Sequence, residues 1–220
     1  MKKMKKINWH IAVVYIVLTL YTLYTLYPIF LMLVTSLKNN LEIMKNPAGL
    51  PQEWVFDGFI TLFQKENFGR YFLNSIFVTG TSVVILLVVT ILLSYVLARY
   101  KSRLSNFLYY FFLVGMMVPL RLGLLSLNDL LYKLGLIDNL WGLVLINVAM
   151  NIPYSMFLMS GYIKMIPVSL EESAFIDGAN TWQILWKVVV PLIKPSISLT
   201  SYFGVTVIKS GIYPSFTLTL

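Results

Sequence analysis

Cysteine is absent from this chain, and histidine occurs once, as His10. The first absence excludes disulfides, thiol catalysis, cysteine-ligated metal and S-acylation. The second leaves too little for a histidine metal site or a Ser-His nucleophile. No Gly-x-x-x-x-Gly-Lys-Ser/Thr occurs, so the chain carries no phosphate-binding P-loop. Charge is scarce as well. Only 12% of the 220 residues are Asp, Glu, Lys or Arg, where soluble domains carry about a quarter. Hydrophobic residues make up 58%, and the chain belongs in a bilayer. The net charge of +8 does not point to nucleic acid, because the basic residues gather at the ends of apolar runs.

Four runs contain no charged residue: Ile11 to Leu37, Tyr71 to Ala98, Leu104 to Leu120 and Asn139 to Ile163. Each approaches or exceeds the roughly 20 residues needed to cross a hydrocarbon core of about 30 Å. A fifth run begins after Lys194 and is interrupted by Lys209. Without water to satisfy the backbone, these segments must be helical. The predicted spans are therefore about 11–37, 71–98, 104–122, 139–163 and 192–215, after a basic tail at 1–10 and with a polar loop at 164–191. The first run is too long for a signal-peptide core and lacks a small-x-small cleavage site, so it reads as a retained helix.

Lys2, Lys3, Lys5 and Lys6 in the tail, and Arg99, Lys101 and Arg103 after the second span, mark the cytoplasmic side. The loop from Lys38 to Arg70 balances four basic residues against four acidic ones and is assigned outside. Alternation then places the loop 164–191 in the cytoplasm. Trp54, Phe56, Phe59 and Phe63 in the outer loop fit an interfacial aromatic belt, or a surface where an external protein docks.

Inside the spans, Tyr21, Tyr24 and Tyr27 recur three apart on a drifting helical stripe. Tyrosine rings stack on sugar faces and their hydroxyls hydrogen-bond, so the stripe could line a solute path. Packing between helices by amphipathic rings is the simpler reading. Pro119 breaks the third run near its outer end, and Arg121 follows. That charge is either a snorkel to the interface or a pathway residue.

The polar loop carries the densest information. Ser169-x-x-Glu172 has capping-box spacing, and Pro167 separates the short helix from the span before it. Gly178, after Asp177, is the residue able to take a left-handed turn. Asn180, with Gln183 three residues on, can cap a second helix running toward Pro191. A helix this short needs a partner surface to be stable. Leu170, Ala174 and Ile176 are apolar residues available to such a partner, and small residues at 173 and 174 would allow close approach.

In full the loop reads Glu172-Ser173-Ala174, three residues, Gly178, nine residues, then Val188-x-Val190-Pro191. This pattern resembles the EAA loop of bacterial ABC importer permeases, which is Glu-Ala-Ala, three residues, Gly, nine residues, Ile-x-Leu-Pro. Further segments are similar to the carbohydrate, maltose-type branch, in order along the chain from about residue 7 to residue 200. They include Thr35-Ser36-Leu37-Lys38, Tyr95-x-Leu97-Ala98-Arg99-Tyr100, Met116-Met117-Val118-Pro119, Ile166-Pro167 and Ile176-Asp177-Gly178-Ala179. The resemblance implies an all-α membrane protein, the transmembrane subunit of a type I ABC importer for a sugar or oligosaccharide. It implies a bacterial inner-membrane, multi-pass protein whose N-terminus is cytoplasmic. Its partners would be a second homologous permease, an ABC ATPase dimer, an extracytoplasmic sugar-binding protein and membrane lipid, with no nucleic acid. ATP and Mg would be used by the ATPase, and this chain would bind no cofactor and catalyse no reaction. The family's docking loop maps onto Glu171, Glu172, Ser173, Ala174, Asp177, Gly178 and Pro191. Tyr21, Tyr24, Tyr27 and Arg121 are candidates for the translocation path.

Three departures from the family pattern matter. Ser173 replaces an alanine, Arg121 stands where relatives commonly have glutamine, and Lys209-Ser210-Gly211-Ile212-Tyr213-Pro214 replaces a Trp-Asn-Asp-like stretch before a sixth helix. The expectation is about five spans with the sixth missing, and a truncated or frame-shifted remnant is the alternative reading, beside a permease for another small solute. An intramembrane enzyme would need converging catalytic side chains, and a secondary transporter would need buried ionisable residues. Neither pattern is visible. The charge asymmetry predicts that a reporter fused after Lys101 is cytoplasmic and one inserted near Pro51 is external. Both on one side would overturn the helix count.

Overall fold

A computed structural model describes residues 9–64, 68–117 and 123–209, and every regular element among them is helical. The chain divides into two compact units, Met1–Tyr71 and Phe72–Leu220.

In the first unit, α1 (Trp9–Thr35) runs unbroken through Pro28. Pro28 lacks an N–H, so the carbonyl one turn earlier has no intrahelical donor. Two short helices follow, α2 (Asn40–Lys45) and α3 (Asp57–Gln64). The turn after α1 is knotted by polar contacts. The Lys38 ammonium, itself buried, donates to the Asn46 carbonyl at 2.8 Å. The Gln52 amide donates to Glu42 Oε1 at 2.8 Å, and the Val55 amide to the Leu37 carbonyl at 3.0 Å.

Helix α4 (Phe68–Arg99) begins in the first unit and supplies the long span of the second. There, α5 (Arg103–Met117) and α11 (Lys194–Lys209) both pack on α7 (Leu140–Met165). Between them lie α6 (Leu124–Lys133), α8 (Val168–Ile176), α9 (Thr181–Ile184), a π-helical turn over Leu185–Val189, and α10 (Val190–Leu192). Asn139 caps α7, its Oδ1 accepting from the Trp141 amide at 2.9 Å. Gly142 lets the start of α7 approach the preceding turn, since a Cβ there would lie 2.5 Å from the Leu136 carbonyl oxygen.

Three helices among the described residues are long and apolar enough to cross a membrane: Ile11–Thr35 in α1, α4 and α7. Thr181–Leu192 and Lys194–Thr206 make a fourth if taken together, bent by 76°. The last expected span, 192–215, begins at this bend and corresponds to α11, while the first half of the pair belongs to the expected loop 164–191; residues 210–215 lie outside the described residues. The break falls at Ile193, and Pro195 just after it accounts for the interruption, because it lacks the N–H that would bond the Pro191 carbonyl one turn back. The third expected span corresponds to α5, 15 residues long, and residues 118–122, with Arg121, lie outside the described residues.

Lipid supplies no hydrophobic drive between helices, so association depends on close packing and polar contacts. The buried face of α4 suits this, with Ser82, Leu86, Thr90 and Ser94 four residues apart. Ser196, Thr200 and Gly204 repeat that spacing on α11, and a Cβ on Gly204 would touch Leu86 and Val83 at 3.6 Å. Ser94 Oγ donates across to the Met156 carbonyl at 3.2 Å, joining α4 to α7.

Candidate functional site

The loop 164–191 forms a helix-turn-helix seated on the ends of α4 and α7. Its base is an apolar cluster in which Ile91 and Tyr95 of α4 meet Met159 and Ile163 of α7, and Ile184, Leu185, Val189 and Ile193 close it from the other side. The loop is thereby built into the bundle.

Helix α8 starts one residue after Pro167, whose extended backbone (φ −57°, ψ 130°) ends the preceding segment. The capping box expected at Ser169 and Glu172 does not form. The helix begins earlier than that pairing requires, and Ser169 already lies in its first turn, where its carbonyl accepts from Ser173 Oγ at 2.8 Å. The proline sets the start, so no side-chain cap is made there. At the other end Gly178 takes φ +85°, and its amide donates to the Phe175 carbonyl at 3.0 Å. Open space surrounds the position a Cβ would occupy, so the demand for glycine comes from the backbone. The second helix has the predicted box. Asn180 Oδ1 accepts from the Gln183 amide, and Gln183 Oε1 accepts from the Asn180 amide, both at 2.9 Å.

Residues expected to face a partner are divided by the structure. Glu171 is buried and points inward. Its Oε1 receives Arg99 Nη2 at 2.6 Å and Nε at 2.7 Å, and its Oε2 receives the Tyr95 hydroxyl at 3.1 Å. Arg99 Nη2 also donates to the Ile166 carbonyl at 3.0 Å, where α7 ends. One guanidinium therefore joins the ends of α4 and α7 to the first turn of α8. The charges suit their places, a cation in the last turn of α4 and a carboxylate in the first turn of α8. Both side chains are only about a tenth exposed, 12% for Arg99 and 10% for Glu171. Removing one partner of such a pair strands a buried charge, typically costing about 3–5 kcal/mol.

Ala174 also turns inward, packing against the apolar cluster instead of lying open to a partner backbone. Glu172, Ser173, Asp177, Gly178 and Pro191 are exposed. So are Phe175 at 69% and Ile176 at 84%, which leaves an apolar tip flanked by two free-facing carboxylates. Lys164, at the end of α7, places its ammonium 4.3 Å from the Tyr109 ring centre on α5. In the first unit, Tyr21, Tyr24 and Tyr27 are all exposed along α1. Sequence reasoning did not assign Arg99 or Tyr95 to the site. The available signal was the tandem Glu171-Glu172, since adjacent residues on a helix face about 100° apart and cannot share one surface.

These features define a multi-pass helical membrane protein with a capped helix-turn-helix joined to its spans. The chain belongs to the family described as the binding-protein-dependent transport system inner membrane component, whose pattern matches residues 90–208. That match contains α5 to α10 and most of α11, and it starts within α4. The chain is 31% identical over 173 residues to the diacetylchitobiose uptake system permease protein NgcG of Streptomyces coelicolor, covering 79% of this chain and 57% of that protein. It is 32% identical over 203 residues to the multiple sugar-binding transport system permease protein MsmG of Streptococcus mutans, covering 91% and 72%. It is 29% identical over 149 residues to the maltodextrin transport system permease protein MalD of Streptococcus pneumoniae, covering 68% and 53%. The chain thus spans between about half and three quarters of these relatives' length.

The two caps make separable predictions. Asn180→Ala removes a made box, so amide exchange over residues 181–185 is expected to speed up by roughly fivefold, the equivalent of about 1 kcal/mol. Ser169→Ala removes no cap and is expected to leave exchange in α8 unchanged. Equal effects from both would refute this division.

Proposed function

We propose that this chain is a membrane-spanning permease subunit of an ATP-driven, binding-protein-dependent importer of a sugar or oligosaccharide. The observation that carries the reading is the exposed tip of the helix-turn-helix, Glu172, Phe175, Ile176 and Asp177, on a loop packed into the bundle. An apolar tip with two carboxylates fits a groove on a protein partner, because burying Phe175 and Ile176 stabilises by about 1.5–3 kcal/mol each. In this proposal the partner is an ABC ATPase dimer, which binds the ATP and Mg. The loop then lies on the cytoplasmic side, as does the N-terminus, in a bacterial inner membrane. A second homologous permease would complete the path, and an extracytoplasmic sugar-binding protein would deliver the solute. The relatives' names, which speak of diacetylchitobiose, multiple sugars and maltodextrin, support the solute class over other small solutes.

The mechanism follows from physical linkage. ATP binding draws the ATPase halves together, and α8 moves with the groove it occupies. Since α8 is short, it transmits force only if its other face is held. That face rests on the apolar cluster through Ala174 and on Arg99 through Glu171.

The test uses complexes assembled with the partner permease and ATPase. Gly178→Val forces a branched side chain into a positive φ at a cost of roughly 1 kcal/mol or more. It is expected to leave the subunit in the membrane while reducing ATPase co-purification and uptake of labelled maltodextrin and diacetylchitobiose. Glu172→Ala should act in the same direction more mildly, and Lys45→Ala in the outer loop should change nothing. A Gly178→Val complex that keeps its ATPase and its uptake would rule the docking reading out.

A further inference from the structure

We infer that Glu171 is a positioning residue, the strut by which movement of α8 is delivered to the spans α4 and α7, while Glu172 serves the partner surface. The inference rests on the docking reading above and assigns different tasks to the two carboxylates of the tandem.

Position and chemistry both support it. Helix α8 has nine residues, with Pro167 at its start and a glycine at φ +85° two residues beyond its end. Those residues set the helix off from the chain on either side. Between them the helix is held by Ala174 against the apolar cluster and by the carboxylate of Glu171. An alanine contact resists separation but slides easily, whereas an ion pair fixes a direction. Here it is fixed from three sides. Arg99 reaches one carboxylate oxygen through two nitrogens, Tyr95 reaches the other, and the same Arg99 nitrogen holds the Ile166 carbonyl. Arg99 and Tyr95 lie four residues apart on one face of α4, so a pull on Glu171 is applied along a rigid span. Arg99 is the last residue of α4 and Ile166 caps α7, so both spans receive the load at their ends. Glu172, one residue on, is exposed and makes none of these contacts.

A surface-docking role and a strut role predict different losses. Without docking, the ATPase leaves. Without the strut, the ATPase stays but the spans no longer follow it. The chain's lack of cysteine makes the second case measurable, since a thiol introduced at Thr81 on α4 would be the only one in this subunit. With Thr81→Cys in the assembled complex, the rate of maleimide modification is measured with and without a non-hydrolysable ATP analogue. The unmodified strut is expected to give a nucleotide-dependent rate. Glu171→Gln should retain the ATPase yet reduce the nucleotide effect by about fivefold or more, the range of typical coupling between distant sites. The exchanged pair Arg99→Glu with Glu171→Arg should recover it at least in part, which a general loss of folding would not allow. A Glu171→Gln complex that binds ATPase and keeps the full nucleotide effect overturns the inference alone. One that loses the ATPase, with the exchanged pair failing to restore it, overturns it by placing Glu171 in docking. A Thr81→Cys chain with an intact strut that retains no ATPase overturns the docking reading, and the strut with it.

Discussion

A carboxylate taken out of water must be matched or moved, and in this protein that constraint organises the polar loop. Glu171 sits where a nine-residue helix meets the ends of two spans, nearly removed from solvent. Its two oxygens are matched by Arg99 and Tyr95, and Arg99 in turn bonds the carbonyl of Ile166, the residue that ends α7. Once this cluster is formed, α8 has one allowed rotation about its axis. That rotation turns Ala174 inward and leaves Glu172, Phe175, Ile176 and Asp177 outward. The outward face is a consequence of the inward one.

The lipid environment explains why the platform beneath is made as it is. Apolar side chains gain little from leaving lipid for a neighbouring helix, so α4, α7 and α11 meet through small residues and hydroxyls. Ser94 bonds across to α7, Thr90 bonds back to Leu86, and Gly204 brings α11 against α4. Large aliphatic residues gather in two places, between the spans, where Val78 of α4 meets Leu143, Val144 and Val148 of α7, and beneath the loop, where Ile163, Val189 and Ile193 are fully buried. The 76° bend between Thr181–Leu192 and Lys194–Thr206 lets one segment cover that cluster while the next joins the bundle. The bend and the buried cluster together give α8 a fixed seat.

Much of this could be read from the residues, and the limits have physical causes. Long charge-free runs identify α1, α4 and α7, because membrane crossing imposes length and composition alone. Gly178 and the Asn180–Gln183 box were legible because each depends on a few neighbouring residues. The cap at Ser169 failed because Pro167 imposes the helix start locally and more strongly. The inward turn of Glu171 was not legible, since its partners Arg99 and Tyr95 lie more than 70 residues earlier. Arg99 had been read only as a topological charge, which fits its place at a span's end without revealing its bond. The tyrosines of α1 are exposed along that helix in their own unit.

The central claim is that Arg99 and Glu171 act as one unit in holding the loop. A double-mutant cycle measures this directly, with Arg99→Gln, Glu171→Gln and the double variant unfolded in mixed micelles. The account predicts strong non-additivity, a coupling of about 1 kcal/mol or more, with the double variant less damaged than the two single losses added together. Single effects that add within about 0.5 kcal/mol would contradict it.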